Sequence, residues 1–253
     1  MSLIRTEIRD RIAILTLDDP PKRNAITLTM NHEIGDAFDQ WEADPDVGAV
    51  VLTGASPAFC AGADLNDLLA DQGGEGMKRL YAGFLRIADS PLPTVAAVNG
   101  AAVGAGLNMV LACDIAVAAR EYAKFDSRFL QIGLHPGGGH TWRLRSVVGR
   151  QTTMAMVLFN EVVRSEHALD LGLVWKVVSA ETLIDEAIAL ATVAASQDKE
   201  LVTRTKATIL ALDTIIGSDQ AVDHEIAPQL WSMEQNGFRD LVQRLQTKIS
   251  SKS

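Results

Sequence analysis

Residues Thr94 to Ala119 form the most apolar stretch of the chain, and its interruptions decide what it can become. Asn99, Asn108 and Asp114 break the run, and Gly100, Gly104 and Gly106 fall inside it. A membrane-spanning helix needs about 20 predominantly apolar residues. This stretch reads instead as buried core: a strand Thr94–Val98, a glycine-spaced segment to Gly106, a helix around Leu107–Leu111 and a strand Ile115–Ala119. A chain that buries such a segment must cover it with other layers.

The remaining pattern supplies those layers. Ile4–Arg9 and Ile12–Leu17 read as two strands with Asp10-Arg11 as the turn, and Pro20-Pro21 ends the pairing because proline cannot donate to a ladder. Met30, Ile34, Ala37, Phe38 and Trp41 recur at helical spacing, with a stop near Asp44-Pro45. Val47–Thr53 reads as another buried strand. Helices are expected after Asp64, over Glu75–Ala88 and after the turn Pro136–Gly139, with a last strand over Leu173–Val178. Leu183, Ala187, Leu190, Ala191 and Ala194 again lie at helical spacing. The rest is helical, with breaks expected at Gly217 and Gly237. The class is α/β, with a mixed body to about residue 195 and an all-helical tail.

Composition sets the outer limits. A chain of 253 residues is long enough to bury a core without disulfides or metal. The net charge of −9 argues against nucleic acid or an anionic membrane as partner, since both reward a basic face. It leaves room for an anionic small molecule bound at a local positive spot. The two cysteines, Cys60 and Cys113, form no metal-binding spacing, so no metal site is expected. The N-terminal residues lack an apolar leader core, and a cytoplasmic location is expected.

Two segments share one design: a buried strand, then small residues, then a helix start. They are Phe59-Cys60-Ala61-Gly62-Ala63-Asp64-Leu65 and Asn99-Gly100-Ala101-Ala102-Val103-Gly104-Ala105-Gly106-Leu107. Small side chains admit a ligand close to the backbone, and N–H groups at a helix start are unsatisfied. Two such groups converging on one point would stabilise an oxyanion. Tight packing alone also accounts for glycine and alanine at such turns. Neither segment is a dinucleotide or phosphate-loop fingerprint.

The order of these motifs resembles the crotonase (enoyl-CoA hydratase/isomerase) superfamily. The resemblance runs through Arg23-Asn24-Ala25, the two small-residue segments, Cys113-Asp114, Ile132–Gly139 and Ala168–Val174, over roughly residues 5–195. It implies a ββα spiral over residues 1–195 that binds acyl-CoA. It also implies a helical region over 196–253 that assembles trimers or dimers of trimers. The ligand would be an acyl-CoA thioester with its carbonyl oxygen between the N–H groups of Ala63 and Ala105. Coenzyme A would be part of the substrate, with no separate cofactor. Carried over in the same way, Ala25, Ala61, Gly62, Asp64, Leu65 and Gly106 would line the CoA path. Lys22 and Arg23 would lie near the phosphates, and Trp231 would contact CoA. Lys22 and Arg23 also read as solvated loop charges.

The sequence departs from the hydratase pattern where the chemistry would sit. Hydration needs one group to activate water and another to carry the α-proton. The resemblance places two glutamates in those roles, and the corresponding positions here hold Asn108 and Phe129. An aspartate used by other members falls at Gly137. Asp126-Arg128 reads as a surface ion pair, Asp114 as structural, and His135 and His140 as loop or helix-start histidines. The expected function is thus enoyl-CoA hydratase/isomerase-type lyase or isomerase chemistry through a held enolate, in fatty acid metabolism. The alternative is a non-catalytic protein that keeps the acyl-CoA pocket.

Overall fold

The structure is a computed structural model that describes residues 2–70 and 73–250. The chain divides into two compact units between Gln197 and Asp198. In the first unit, strands β1 (Ile4–Arg9), β2 (Ile12–Leu17), β3 (Ala49–Gly54), β4 (Thr94–Val98), β6 (Ile115–Ala119) and β9 (Lys176–Val178) form one sheet in that spatial order. Three short strands, β5 (Ala101–Val103), β7 (Lys124–Asp126) and β8 (Val163–Arg164), form a second. The helices of this unit are α1 (Leu28–Ala43), α2 (Leu65–Ala70), α3 (Gly74–Ala88), α4 (Ala105–Ala112), α5 (His140–Leu158), α6 (Ser165–Asp170) and α7 (Leu183–Ala195).

The large sheet is antiparallel only between β1 and β2 and parallel elsewhere. Parallel strands are covered on both faces, so their sequences run apolar without alternation. Every residue of β3 and β4 is buried. The side-chain period of two then splits the apolar residues into two cores. Leu15, Leu17, Val50, Leu52, Ala96 and Val98 face one core with Met30, Ile34 and Phe38 of α1 and Phe84 and Ile87 of α3. Ile12, Ile14, Val51, Val95, Ala97 and Val117 face the other, closed by Leu183, Ala187, Ala191 and Ala195 of α7.

Several sequence expectations need correction. The glycine-spaced segment contains strand β5, and α4 starts at Ala105 rather than near Leu107. The strands β7 and β8 were not expected, because two or three residues carry no readable period. The last strand of the body covers only Lys176–Val178 of the expected run. In the second unit, α8 (Lys199–Ala211), α9 (Ser218–Glu234) and α10 (Asn236–Ser250) are separated at Gly217 and at Gln235. Gly237 lies inside α10, so that break sits two residues earlier than expected.

Asn24 ties the loop after β2 to the loop after β3. Its side-chain nitrogen donates to Ala55 O (2.7 Å), Ala58 O (2.8 Å) and Phe59 O (3.2 Å), and its Oδ1 accepts from Asp19 N. The residue is fully buried with φ +57°, a left-handed conformation that asparagine tolerates better than most residues. Gly106 makes the matching contact from α4: a Cβ there would lie 2.3 Å from Cys60 O and 2.8 Å from Cys60 Cβ. A Gly106→Ala variant is expected to lose about 3 kcal/mol or more, because backbone rather than a movable side chain blocks the methyl. A Gly35→Ala variant, in α1 with nothing within 4 Å, should gain up to about 1 kcal/mol. Urea unfolding of the two variants against the parent chain checks both signs.

Candidate active site

The site forms where the small-residue segment 59–64 is drawn between its neighbours as an irregular extension of the short sheet. Cys60 N donates to Ala101 O (3.0 Å) and Val103 N donates to Cys60 O (2.9 Å). On the other side Ala61 N donates to Arg23 O, Ile26 N donates to Gly62 O (2.8 Å) and Asp64 N donates to Ile26 O (2.7 Å). Gly62 takes φ +112°, which only glycine adopts freely and which re-aims the chain. Because Gly62 O and Asp64 N both face Ile26, the N–H of Ala63 points away from it.

Ala105 is the first residue of α4, so its N–H has no partner inside the helix. Gly104, with φ +52° and ψ −109°, turns the chain from β5 into that helix. Neither the Ala63 nor the Ala105 N–H donates a hydrogen bond among the described residues. Both residues line one cavity of about 270 Å³. Ala61, Gly62 and Leu65 join its wall from the first loop, Asn108 from α4, Phe129 and Gly137 from the segment after β7, and Tyr81 from α3. No aspartate or glutamate lines it among the described residues. A wider recess of about 760 Å³ runs along α5 past Trp142, Arg145 and Arg150, and it holds none of the residues expected at the site.

From Asn108 and Ser127 on the cavity wall, a chain of uncharged polar groups runs back to His140. Asn108 Nδ2 donates to Gly137 O (3.2 Å), which orients the amide so that Oδ1 receives His140 Nδ1–H at 2.7 Å. The ring proton therefore sits on Nδ1, and bare Nε2 accepts from the Ser127 hydroxyl at 2.9 Å. Asn108, Ser127 and His140 are all buried. Phe129 packs edge-on against the imidazole with centroids 4.8 Å apart. Burial in these surroundings pushes the His140 pKa down to about 4, so the ring is neutral near pH 7.

The model of the enoyl-CoA hydratase/isomerase family matches residues 7–227. The chain belongs to that family. The chain is 45% identical over 222 residues to the probable enoyl-CoA hydratase EchA14 of Mycobacterium tuberculosis, covering 87% of this chain and 85% of that one. It is 37% identical over 204 residues to the 1,2-epoxyphenylacetyl-CoA isomerase of Escherichia coli, with 78% of each covered. The crystal structure of an enoyl-CoA hydratase from Mycobacterium smegmatis superposes with a TM-score of 0.89 at 30% identity, over 98% of this chain and 97% of that one. The α/β architecture described above is thus the crotonase fold.

Within that family frame, the residues expected at the site separate into groups. Ala61, Gly62, Ala63, Leu65, Ala105, Asn108 and Phe129 share the cavity wall. Gly106 is turned to Cys60, and Ala25 and Arg23 lie outside the wall. Asp64 does not present its carboxylate to a ligand: Oδ2 accepts from Lys22 Nζ (2.9 Å) and Oδ1 caps the start of α2 at Asn66 N (2.9 Å). The Lys22 ammonium, hydrogen-bonded there, holds the Asp64 carboxyl below its usual range, and Asp64 raises Lys22 in return. Trp231 lies in α9 of the second unit with the Arg204 guanidinium 4.3 Å from its ring centroid.

Asp126 and Arg128 do pair, with Arg128 Nε 2.9 Å from Asp126 Oδ2, but Asp126 is buried rather than at the surface. Asp114 accepts from Thr94 N and Thr94 Oγ1, the structural role expected of it. At Gly137 the Tyr81 hydroxyl fills the space of a side chain: a Cβ would meet it at 2.2 Å. Burial raises the Cys60 thiol to about 12, which leaves it inert. Sequence reasoning missed His140 as the partner of Asn108 and Ser127 as the partner of His140, since no motif spacing links positions 108, 127 and 140. Among the described residues no three His, Cys, Asp or Glu side chains group to hold a metal, and no helix is long and apolar enough to cross a membrane.

The depressed His140 pKa sets a pH dependence of stability. Above about pH 6.5 the ring is neutral in both folded and unfolded chains and its contribution is complete. As pH falls from about 6.5 to about 4 the unfolded chain binds a proton that the folded chain refuses, so stability is lost over that window. The loss is of order 3 kcal/mol, and a His140→Gln variant should lose about that much less over the same range. Urea midpoints measured from pH 7 to pH 4 check the difference.

Proposed function

We propose that this protein acts on an acyl-CoA thioester, holding the oxygen of an enolate between the N–H groups of Ala63 and Ala105. The observation that carries this reading is that two backbone N–H groups without partners open on one cavity. Donors fixed in advance cost no reorganisation as negative charge develops on the thioester oxygen, and the start of α4 adds its dipole. Among the described residues the wall lacks the two carboxylates that hydration would use, so α-proton transfer by a single group, as in isomerisation, is favoured over addition of water. Arg23 is the nearby loop cation not tied to Asp64, and it is assigned to the CoA phosphates, with Lys22 keeping its partly exposed ammonium on the same loop.

The second unit is assigned to trimer assembly. Phe238, Leu241, Leu245 and Ile249 of α10 are exposed at helical spacing, as are Val222, Ile226, Leu230 and Met233 of α9. Such apolar stripes support burial against other copies of the chain. A cytoplasmic role in fatty acid metabolism follows the same family reading.

Ala105→Pro gives the sharpest test of the enolate reading. Proline fits the first position of a helix and removes the N–H there. The variant should keep calorimetric binding of acyl-CoA and lose about 100-fold or more in isomerisation or hydration of enoyl-CoA. Unchanged turnover would exclude Ala105 as a donor. A parent chain that binds acyl-CoA but turns over no enoyl-CoA would point to the non-catalytic alternative.

A further inference from the structure

The geometry points to Ser127 and His140 as the proton carrier of this site, with Asn108 positioning the imidazole, an assignment that rests on the acyl-CoA reading above. Enolate formation requires a group that takes the α-proton, and among the described residues the cavity wall has no carboxylate to do so. The positions that the family resemblance assigns to glutamates hold an amide and a phenyl ring. The one imidazole whose tautomer and orientation are fixed from both sides is His140. Its Nδ1–H is held by Asn108 Oδ1, whose amide is itself locked onto Gly137 O. Its Nε2 bonds the Ser127 hydroxyl, and Ser127, unlike His140, lines the cavity.

Ser127 is also placed beside the oxyanion donor. Gly104 N donates to Asp126 O at 2.9 Å, so Ala105 and Ser127 each follow directly after one end of the same hydrogen bond. Both then line the cavity. The titratable groups that line the wall themselves are less suited. His135 is exposed, with Nδ1 bonded to Pro136 O; Tyr81 is a phenol that burial keeps protonated; and Arg128 is paired with Asp126.

The step balances without a co-reactant. The α-carbon to hydrogen bond breaks and its proton joins Ser127 Oγ while the hydroxyl proton passes to His140 Nε2. The electron pair moves onto the thioester oxygen between Ala63 and Ala105. The reverse path returns a proton to the α-carbon, or to the γ-carbon when the substrate is unsaturated. The imidazolium formed sits against the uncharged side chains of Asn108, Ser127 and Phe129, with no carboxylate paired to it among the described residues, so it gives its proton back rather than storing it.

Exchange of the α-protons of butyryl-CoA in D₂O, followed by proton NMR, reads this step apart from any net reaction. The wild-type protein should catalyse the exchange. Ser127→Ala and His140→Gln should bind butyryl-CoA within about threefold of wild type by calorimetry and lose about 100-fold or more in exchange rate. Ser127→Thr, which keeps a hydroxyl, should retain most of it. Wild-type exchange in Ser127→Ala overturns the assignment. So does loss of binding in that variant, which would make the hydroxyl structural, and so does an acyl adduct on Ser127 by intact mass, which would make it a nucleophile. Wild-type protein that binds but does not exchange overturns the carrier and leaves the acyl-CoA reading standing; absence of binding removes both.

Discussion

Backbone packed directly on backbone, along residues 59–64, is the constraint on which the site depends. The segment lies between Ile26 on one side and Ala101–Val103 on the other, held by hydrogen bonds to both. No side chain fits at Gly106 against Cys60, at Gly100 against Ala58, or at Gly54 against Phe59, where a Cβ would meet main-chain atoms at 2.3, 2.9 and 2.2 Å. The tight approach brings two strand-to-helix turns together, and with them the N–H groups of Ala63 and Ala105. Asn24 replaces missing ladder partners by donating to three carbonyls at once, so the loop carbonyls are not left buried and unpaired.

Much of the scaffold was legible in the sequence because its elements are long enough to show a period. β1, β2, β4 and β6 occupy the stretches expected of them, and α1 starts at a Thr27 cap and stops at Asp44. The short sheet was not legible. β5, β7 and β8 are two or three residues each, and their strand character comes from neighbours that the sequence does not place beside them. The same reason explains the missed partner of Asn108. Nothing in the order of residues says that a histidine after three glycines turns back 32 positions to an α4 amide. His140 heads α5 only because Gly138 and Gly139 take φ +66° and +80°, and their positive φ lets the chain reverse there.

Among the described residues, charge is distributed so that no carboxylate lines the cavity. Asp64 is the carboxylate nearest in sequence to Ala63, and it is neutralised by Lys22 and by the N–H groups at the start of α2. Asp126 precedes Ser127 and is neutralised by Arg128. Both acids are buried, and in both cases the paired cation sits at the more exposed end. An enolate developing beside unpaired carboxylates would be repelled in a medium of low dielectric. The two ion pairs count for little in stability, since their cations are half-exposed, and on the proposed enolate reading they would keep the field at the N–H groups favourable to negative charge.

A buried carboxylate and a buried imidazole solve the proton problem differently. A glutamate at this depth would be charged at rest, and burial would raise its pKa unless hydrogen bonds held the charge. The Asn108–His140–Ser127 chain is neutral at rest, so it is buried without the cost of an isolated charge, and each of its contacts is satisfied within the chain. Its disadvantage is the reverse: under the proposed mechanism the imidazolium would form with no anion beside it among the described residues. The negative charge that would appear at the same moment on the substrate oxygen would serve as its counterion. Proton removal and charge stabilisation would then be coupled in one cavity. The same burial that makes His140 a weak base would leave its protonated form most tolerable beside an enolate.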